Sequence, residues 1–464
     1  MKARIARLLP LCAALATAIP MAAHATNGYF MIGFGAKSRG MGGVGVAYPQ
    51  DALAAASNPA GMAEIDMDTM RIDVGGEFFN PPRAVMHDSA ALGWTDAKSA
   101  NNVYLIPNMG GAYRFNRKIT VGMSVIGAGL GTRYDQTVPG RPNCVNGNTS
   151  DGVGSTFFNF NCNADSQTVG VMLMQMQMLP TVAYKLNRQH TLGASLAIGV
   201  QTFRAFGLGA FEDLGFAATT EHVSGEGNDW SYGAGLRLGG LHKLDKKGTF
   251  TFGWSWASRV YMTKFDKYRN LFAEQGDFDI PTHYAIGIAY KPNKKLAIAA
   301  DIQRIEYSSV KSVGNPGPNV LDPDDLNPLC PGDDGLDPKR CKLGGDDGMG
   351  FGWEDQTIYK LGVNYDYNKT WSFRGGMNYG KSPIPDDQVL FNMLAPATVE
   401  WHVTLGASYR PSRNSEWSFN YMHAFENVIK GPTAFGPAGV PVIGENAAIS
   451  MRQNSLGVSF SYKM

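Results

Sequence analysis

The chain has 464 residues, 17% of them charged, a formal net charge of +1 and a mean hydropathy of −0.18. This balance gives no electrostatic case for nucleic acid, and nothing beyond residue 25 approaches the ~20 apolar residues of a membrane helix. Glycine (56), phenylalanine (24), tyrosine (19) and tryptophan (8) are nevertheless abundant, as in a membrane wall that is apolar on one face only.

The N-terminus reads as a secretory signal peptide. Lys2, Arg4 and Arg7 precede the uncharged stretch Leu8–Ala23, and Ala23-His24-Ala25 is a small-x-small cleavage site. Cleavage between Ala25 and Thr26 removes three positive charges, taking the net charge from +1 to −2. Pro10 and Pro20 interrupt the stretch and argue against a membrane anchor.

Residues 26–66 do not read as a strand. They are rich in glycine, pass through a short helical patch at Asp51–Ala56, and stop at Asn58-Pro59-Ala60-Gly61, since proline disfavours helix at the residue before it. Lying ahead of the first strand, this segment has its natural place inside a barrel, as a plug. Gly40 to Gly45 matches GxGxxG, but no strand–helix–strand unit surrounds it, so close packing of a glycine-rich segment is the better reading.

From residue 67 onward the hydrophobic period is two. Trp401, Val403, Leu405, Ala407 and Tyr409 alternate with His402, Thr404, Gly406 and Ser408; Leu456, Val458, Phe460 and Tyr462 alternate with Gly457, Ser459, Ser461 and Lys463. Such alternation marks strands with one apolar face. The test yields fourteen strands, near 68–79, 102–115, 118–134, 168–186, 190–204, 229–242, 248–264, 281–291, 295–308, 354–367, 370–379, 399–410, 415–426 and 450–463. In the third, Gly127-Ala128-Gly129-Leu130-Gly131 breaks the alternation, and glycine within a strand marks a bulge or bend. In the fourth, Met172, Met174, Met176 and Met178 share a face, read as facing lipid, although flexible thioethers also adapt to varied apolar ligands.

Short links at 116–117, 187–189, 245–247, 292–294, 368–369 and 412–414 alternate with long segments at 80–101, 135–167, 205–228, 265–280, 309–353, 380–398 and 427–449. Short periplasmic turns, long outer loops and an even strand count describe a bacterial outer-membrane barrel with both termini in the periplasm. Cys144, Cys162, Cys330 and Cys341 fall in long outer segments. Two local disulfides, Cys144–Cys162 and Cys330–Cys341, suit an oxidising periplasm, but four cysteines allow three pairings and the sequence does not choose. No zinc-ligand spacing accompanies them. The aspartates between Asp322 and Asp347 lack the EF-hand spacing and read as a solvated loop.

The glycine-rich start, the helical patch and Asn58-Pro59-Ala60 resemble the hatch of the FadL/TodX-type family of long-chain fatty acid and hydrocarbon transporters. Pro107-Asn108-Met109, Gly111-Ala112-Tyr113-Arg114, Trp371 to Gly376, Ser382-Pro383-Ile384-Pro385 and Tyr421-Met422-His423 are also similar to that family, in the same order. The resemblance implies an all-β, fourteen-stranded transmembrane antiparallel barrel (residues 67–464) with a hatch at 26–66 behind a signal peptide at 1–25.

It further implies passive uptake of hydrophobic compounds: capture among outer loops, hatch movement, and sideways exit through a kinked third strand. Gly127 and Gly129 then mark the opening, and Phe203, Phe206, Leu208, Phe211, Leu214 and Phe216 are candidates for the capture groove. The expected partners are the hydrophobic ligand, outer-membrane lipid and lipopolysaccharide, and the barrel-assembly machinery, with the chain a monomer. The alternatives are an aromatic-hydrocarbon channel of the same family and a general porin or adhesion barrel. No Ser/His pairing stands out, so neither catalysis nor a cofactor is expected. Lys360 and Arg374 face inward and have two readings: partners for a ligand carboxylate, or for Asp301 and Asp366.

Overall fold

A computed structural model describes residues 27–89, 93–134, 168–209, 211, 217, 219, 221–317, 342–433 and 442–464. The signal peptide with its Ala25–Thr26 cleavage site, all four mature-chain cysteines, Leu214, Phe216 and most of the aspartate-rich loop lie outside the described residues.

Fourteen antiparallel strands form the wall: β1 (Met70–Asn80), β2 (Tyr104–Arg114), β3 (Ile119–Gly131), β4 (Gly170–Lys185), β5 (His190–Phe206), β6 (Asp229–Lys243), β7 (Phe250–Ala257), β8 (His283–Tyr290), β9 (Leu296–Ile305), β10 (Gln356–Asp366), β11 (Trp371–Gly380), β12 (Trp401–Tyr409), β13 (Ser415–Thr433) and β14 (Val442–Lys463). Each pairs with its sequence neighbours. The ring closes where β1 pairs with β14, from Arg71–Lys463 to Asn80–Asn454. The expected fourteen strands are therefore the fourteen observed.

The faces are inverted relative to a water-soluble protein. On β10, Tyr359, Leu361, Val363 and Tyr365 are exposed while Gln356, Lys360 and Asn364 on the other face are buried. Only a barrel with hydrocarbon outside and a packed interior makes that pattern favourable. Aromatic cross-strand pairs lie near the wall's ends: Trp371 on Tyr409 (4.8 Å between ring centres) and Trp417 on Phe460 (4.9 Å) at one, Tyr379 on Trp401 (4.4 Å) at the other. Their amphipathic rings suit the membrane–water boundary.

The short links owe their tightness to one local device. Asn116 Oδ1 accepts from the backbone N–H of Lys118 and of Ile119, both at 2.8 Å. Asn187, Asn293 and Asn368 repeat this at their own turns. Asp245 and Ser412 do so with a carboxylate and a hydroxyl. Side chains of this type close turns on their own backbone.

Four local expectations are corrected. Residues 80–101 are not a plain loop: Arg83–Ser89 and Gly93–Lys98 form a hairpin whose first strand pairs with β14 from Arg83–Met451 to His87–Ala447. Much of 427–449 is likewise strand, because β13 and β14 stay paired past an irregularity between Ala424 and Asn427. The seventh strand ends at Ala257; pairing with β6 resumes at Tyr261–Met262, opposite Ala234 and Gly233. The helical patch shrinks to one 3-10 turn at Ala54–Ala56. A five-residue helix not foreseen from the sequence, α1 (Gly35–Arg39), precedes it.

Candidate functional site: the lumen and its side window

The N-terminal segment, residues 27–67, is almost wholly buried. Its polar groups meet inward-facing side chains from around the ring. Lys37 pairs with Glu416 of β13 at 2.9 Å, and Arg39 with Glu77 of β1 at 3.1 Å. Asp301 of β9 accepts from the backbone N–H of Gly45 (2.8 Å) and Val46 (3.1 Å). Thr404 of β12 accepts from Gly42, and Ser124 of β3 donates to the Ala52 carbonyl, each at 2.8 Å. Towards the end that carries the short links, Glu64 takes Lys185 (3.0 Å) and Lys243 (2.6 Å). At the other end Tyr29 packs on Tyr307 and Trp353 with ring centres 5.4 and 5.9 Å away, and the Tyr307 hydroxyl donates to the Asn27 carbonyl at 2.6 Å.

Two sequence motifs acquire physical reasons. Asn58 accepts from the Ala60 N–H at 3.0 Å, capping the turn Pro59–Ala63, while its amide donates to the carbonyls of Val46 (2.8 Å) and Gly240 (3.0 Å). The wall makes room for it: a Cβ at Gly193 would collide with the Ala60 backbone, and one at Gly239 with the Asn58 amide. The GxGxxG stretch serves close backbone packing. Gly42 and Gly43 take φ of +68° and +84°, and Gly42 lies against the carbonyls of Leu361 and Met377 on β10 and β11. Side chains at these positions would be strained and crowded.

The wall carries a window between β2 and β3. Their pairing runs from Arg114–Thr120 to Met109–Val125 and goes no further. Above that point Tyr104–Asn108 remain paired to β1, and Ile126–Gly131 to β4. Beyond the window the two sides rejoin, where the Ala100 N–H donates to the Arg133 carbonyl at 2.7 Å and Arg83 donates to the Gly131 carbonyl. The unpaired stretch is about six residues, or ~20 Å of strand. Pro107, with no N–H to offer, lies within it on β2. Gly127 and Gly129 lie within it on β3, with Gly129 at φ +155°, an angle that side-chain-bearing residues rarely adopt. On this stretch β3 lacks ladder pairing with β2, while its register with β4 is unbroken.

Two small cavities flank the segment's aromatic residues. One, about 30 Å³, is lined by Phe34, Val46, Arg237, His283, Asp301 and Lys360, among others. The second, about 10 Å³, reaches the window at Ile126, Gly127 and Ala128. Phe30, Phe34 and Arg237 line both and so stand between them. Neither cavity has room for more than water-sized contents, so a larger molecule needs the segment to move.

Arg237 was not singled out from the sequence. It is buried, donates to the Ala56 carbonyl and to Gln177 Oε1, both at 2.7 Å, and leaves Nε without an acceptor. No carboxylate within salt-bridge distance faces it among the described residues. Lys360 and Arg374 pair with neither Asp301 nor Asp366: Lys360 donates to the Ile32 carbonyl (2.8 Å), and Arg374 to Ser408 (2.7 Å) and Gln50 (3.1 Å).

The candidate groove residues form part of a packed cap. Phe203, Phe206, Leu208 and Phe211 are buried. Phe203 lies 4.9 Å from Tyr268 and 4.6 Å from Phe272 between ring centres, and Phe211 lies 5.5 Å from Phe391. In the same cap, burial and the neighbouring Asp279 and Glu274 push the Asp277 carboxyl up to about 6.

Comparison with known proteins follows from this geometry. A family model described as outer membrane protein transport protein (OMPP1/FadL/TodX) matches residues 144–462. The toluene transporter TodX of Pseudomonas putida superposes with a TM-score of 0.62 at 18% identity, over 95% of this chain and 100% of that one. The Ralstonia pickettii toluene transporter TbuX gives 0.59 at 17% identity, over 93% and 99%. A Pseudomonas aeruginosa FadL homologue gives 0.60 at 13% identity, over 94% and 99%. At such identities the likeness concerns the fold. No curated protein sequence matches the chain significantly.

Proposed function

The chain belongs to the outer membrane protein transport family (OMPP1/FadL/TodX), and on that footing we propose that it takes up long-chain fatty acids or related hydrophobic compounds passively. The outer leaflet slows apolar solutes, and a water-filled pore gives them no favourable path. Each methylene withdrawn from water gains about 0.8 kcal/mol, so an acyl chain needs an apolar route rather than an energy source. In this reading the ligand enters through the aromatic cap. The N-terminal segment acts as a hatch whose Phe30 and Phe34 move aside, and the ligand leaves sideways between β2 and β3.

The observation that carries this reading is the window itself, with an internal cavity abutting Gly127 and Ala128 from the lumen side. Arg237 favours a ligand with a carboxylate over a bare hydrocarbon: it is a buried cation with a free N–H beside both cavities. The test is uptake of labelled oleate and toluene in a strain lacking the gene, with and without the gene restored. Uptake of oleate that rises when the gene is restored supports the proposal, and uptake of each compound that is the same with and without the gene overturns it. The hatch reading also predicts low ion conductance for the purified barrel, against the porin alternative.

A further inference from the structure

The outer surface of the window has its own chemistry. On β4, Met172, Met174 and Met176 sit opposite Gly131, Gly129 and Gly127 of β3 in register. Three alternate cross-strand pairs, all on one face, thus join a methionine to a residue with no side chain. Nearer the other end of the same strand and on the same face, Val182 is 53% exposed. Met172, Met174 and Met176 are only part-exposed, and Gly129 and Gly131 are buried. Met172 and Met174 pack against the apolar cluster that contains Tyr104 and Ile106, on the far side of the window, and Met31 of the N-terminal segment. The glycines leave little between the two strands: a Cβ at Gly127 would stand 3.4 Å from the Ile106 side chain of β2. Inner and outer sides of the window share one apolar cluster.

Position along the strand agrees. Gly127 lies eight residues beyond the periplasmic start of β3 at Ile119, which is ~27 Å of strand. On a tilted strand in an apolar band ~25 Å tall, that is the level of the outer leaflet.

We propose that Met172 and Met174 form an outer door to the window, and that the apolar body of the departing molecule passes beneath their thioethers into the outer leaflet. The inference rests on the transport reading above. Methionine suits the task because its unbranched side chain turns about several bonds and accepts irregular apolar partners. Closed, it keeps lipid out of the window; turned aside, it leaves an apolar track.

Met178 supplies the control. It faces the same side but pairs with Val125, where β2 and β3 are still joined. Isoleucine is stiff at its first side-chain torsion, so Met172→Ile with Met174→Ile should slow oleate uptake about threefold or more, whereas Met178→Ile should not. Heat-dependent gel mobility confirms that each variant has formed its barrel. Independently of any variant, an alkyl-diazirine fatty acid photolysed on the native protein in outer membranes should label Met172 and Met174 above Met178. Equal uptake by the double variant and the native protein overturns the door, as does equal labelling at all three methionines. A native protein that takes up no more oleate than the deletion strain overturns the transport reading instead.

Discussion

Arg39 and Glu77 meet at 3.1 Å with neither side chain reaching solvent. The guanidinium also donates to Ser455, and Glu77 accepts from Ser455 and Asn420. This network ties α1 to β1, β13 and β14. Removing one partner of such a pair leaves a buried charge, at a cost of about 3–5 kcal/mol. Glu77→Ala should therefore loosen the N-terminal segment, read as raised ion conductance in planar bilayers. Arg39→Met combined with Glu77→Leu should return conductance most of the way, because neither charge is then stranded.

Asn58 makes three hydrogen bonds with one side chain. Asn58→Ala removes a cap and deprives two carbonyls of a donor, so stability should fall by about 2–4 kcal/mol. Thermal unfolding of the detergent-solubilised barrel measures it. Asn58→Asp keeps the cap but loses the donors, and should fall between the two.

The two glycines of the window make opposite demands on assembly and transport. Gly127→Val with Gly129→Val should favour regular strand and narrow the unpaired stretch. Barrel formation should stay normal while uptake falls. Normal uptake would remove these glycines from the exit route.

Arg237→Met tests the ligand's head group. A hydrogen bond to a charged group is worth about 1.5–3 kcal/mol, so oleate affinity should fall about tenfold or more. Toluene, with no carboxylate, should be indifferent. Equal loss for both ligands would make Arg237 a structural strut for the Ala56 carbonyl.

Asp277 predicts a pH dependence in the outer cap. Its carboxyl is pushed up to about 6 by burial, Asp279 and Glu274, against about 3.8 when unfolded. The folded cap therefore holds the proton more tightly than the unfolded one. Its contribution to stability is full below pH ~4 and is lost as pH rises through about 6. Protease nicking within 258–282 should be slower at pH 5 than at pH 7.5, relative to Asp277→Asn measured at each pH. No difference between native protein and variant would remove Asp277 from the effect.

The wall was legible in the sequence because its rules are local. A period of two identifies the strands, and Asn116, Asn187, Asn293 and Asn368 each close a turn on their own backbone. The segment inside was legible as something other than wall, since glycine and Asn58-Pro59 interrupt both periods. What escaped depends on partners distant in sequence. The hairpin at 83–98 is defined by pairing with Met451 and its neighbours, hundreds of residues away. The glycines of β3 were visible, but the lost pairing is a property of two strands together. Arg237 reads as one more inward residue between Leu236 and Leu238; that no carboxylate among the described residues faces it is fixed by the opposite wall. Phe30 and Phe34 belong to the apolar run Tyr29-Phe30-Met31-Ile32-Gly33-Phe34, in which nothing local separates them from their neighbours.

The inner ion pairs also constrain the order of folding. Lys37 and Glu416 are 379 residues apart, and the Thr69 N–H donates to the carbonyl of Met464. The part of the chain synthesised early thus finds its anchors on strands synthesised last. The ring cannot seal until β14 reaches β1, and the N-terminal segment must already be enclosed when it does. An unsealed intermediate keeps this segment unanchored beside an open sheet edge. Loss of the last strand should leave the whole interior unformed rather than one seam open.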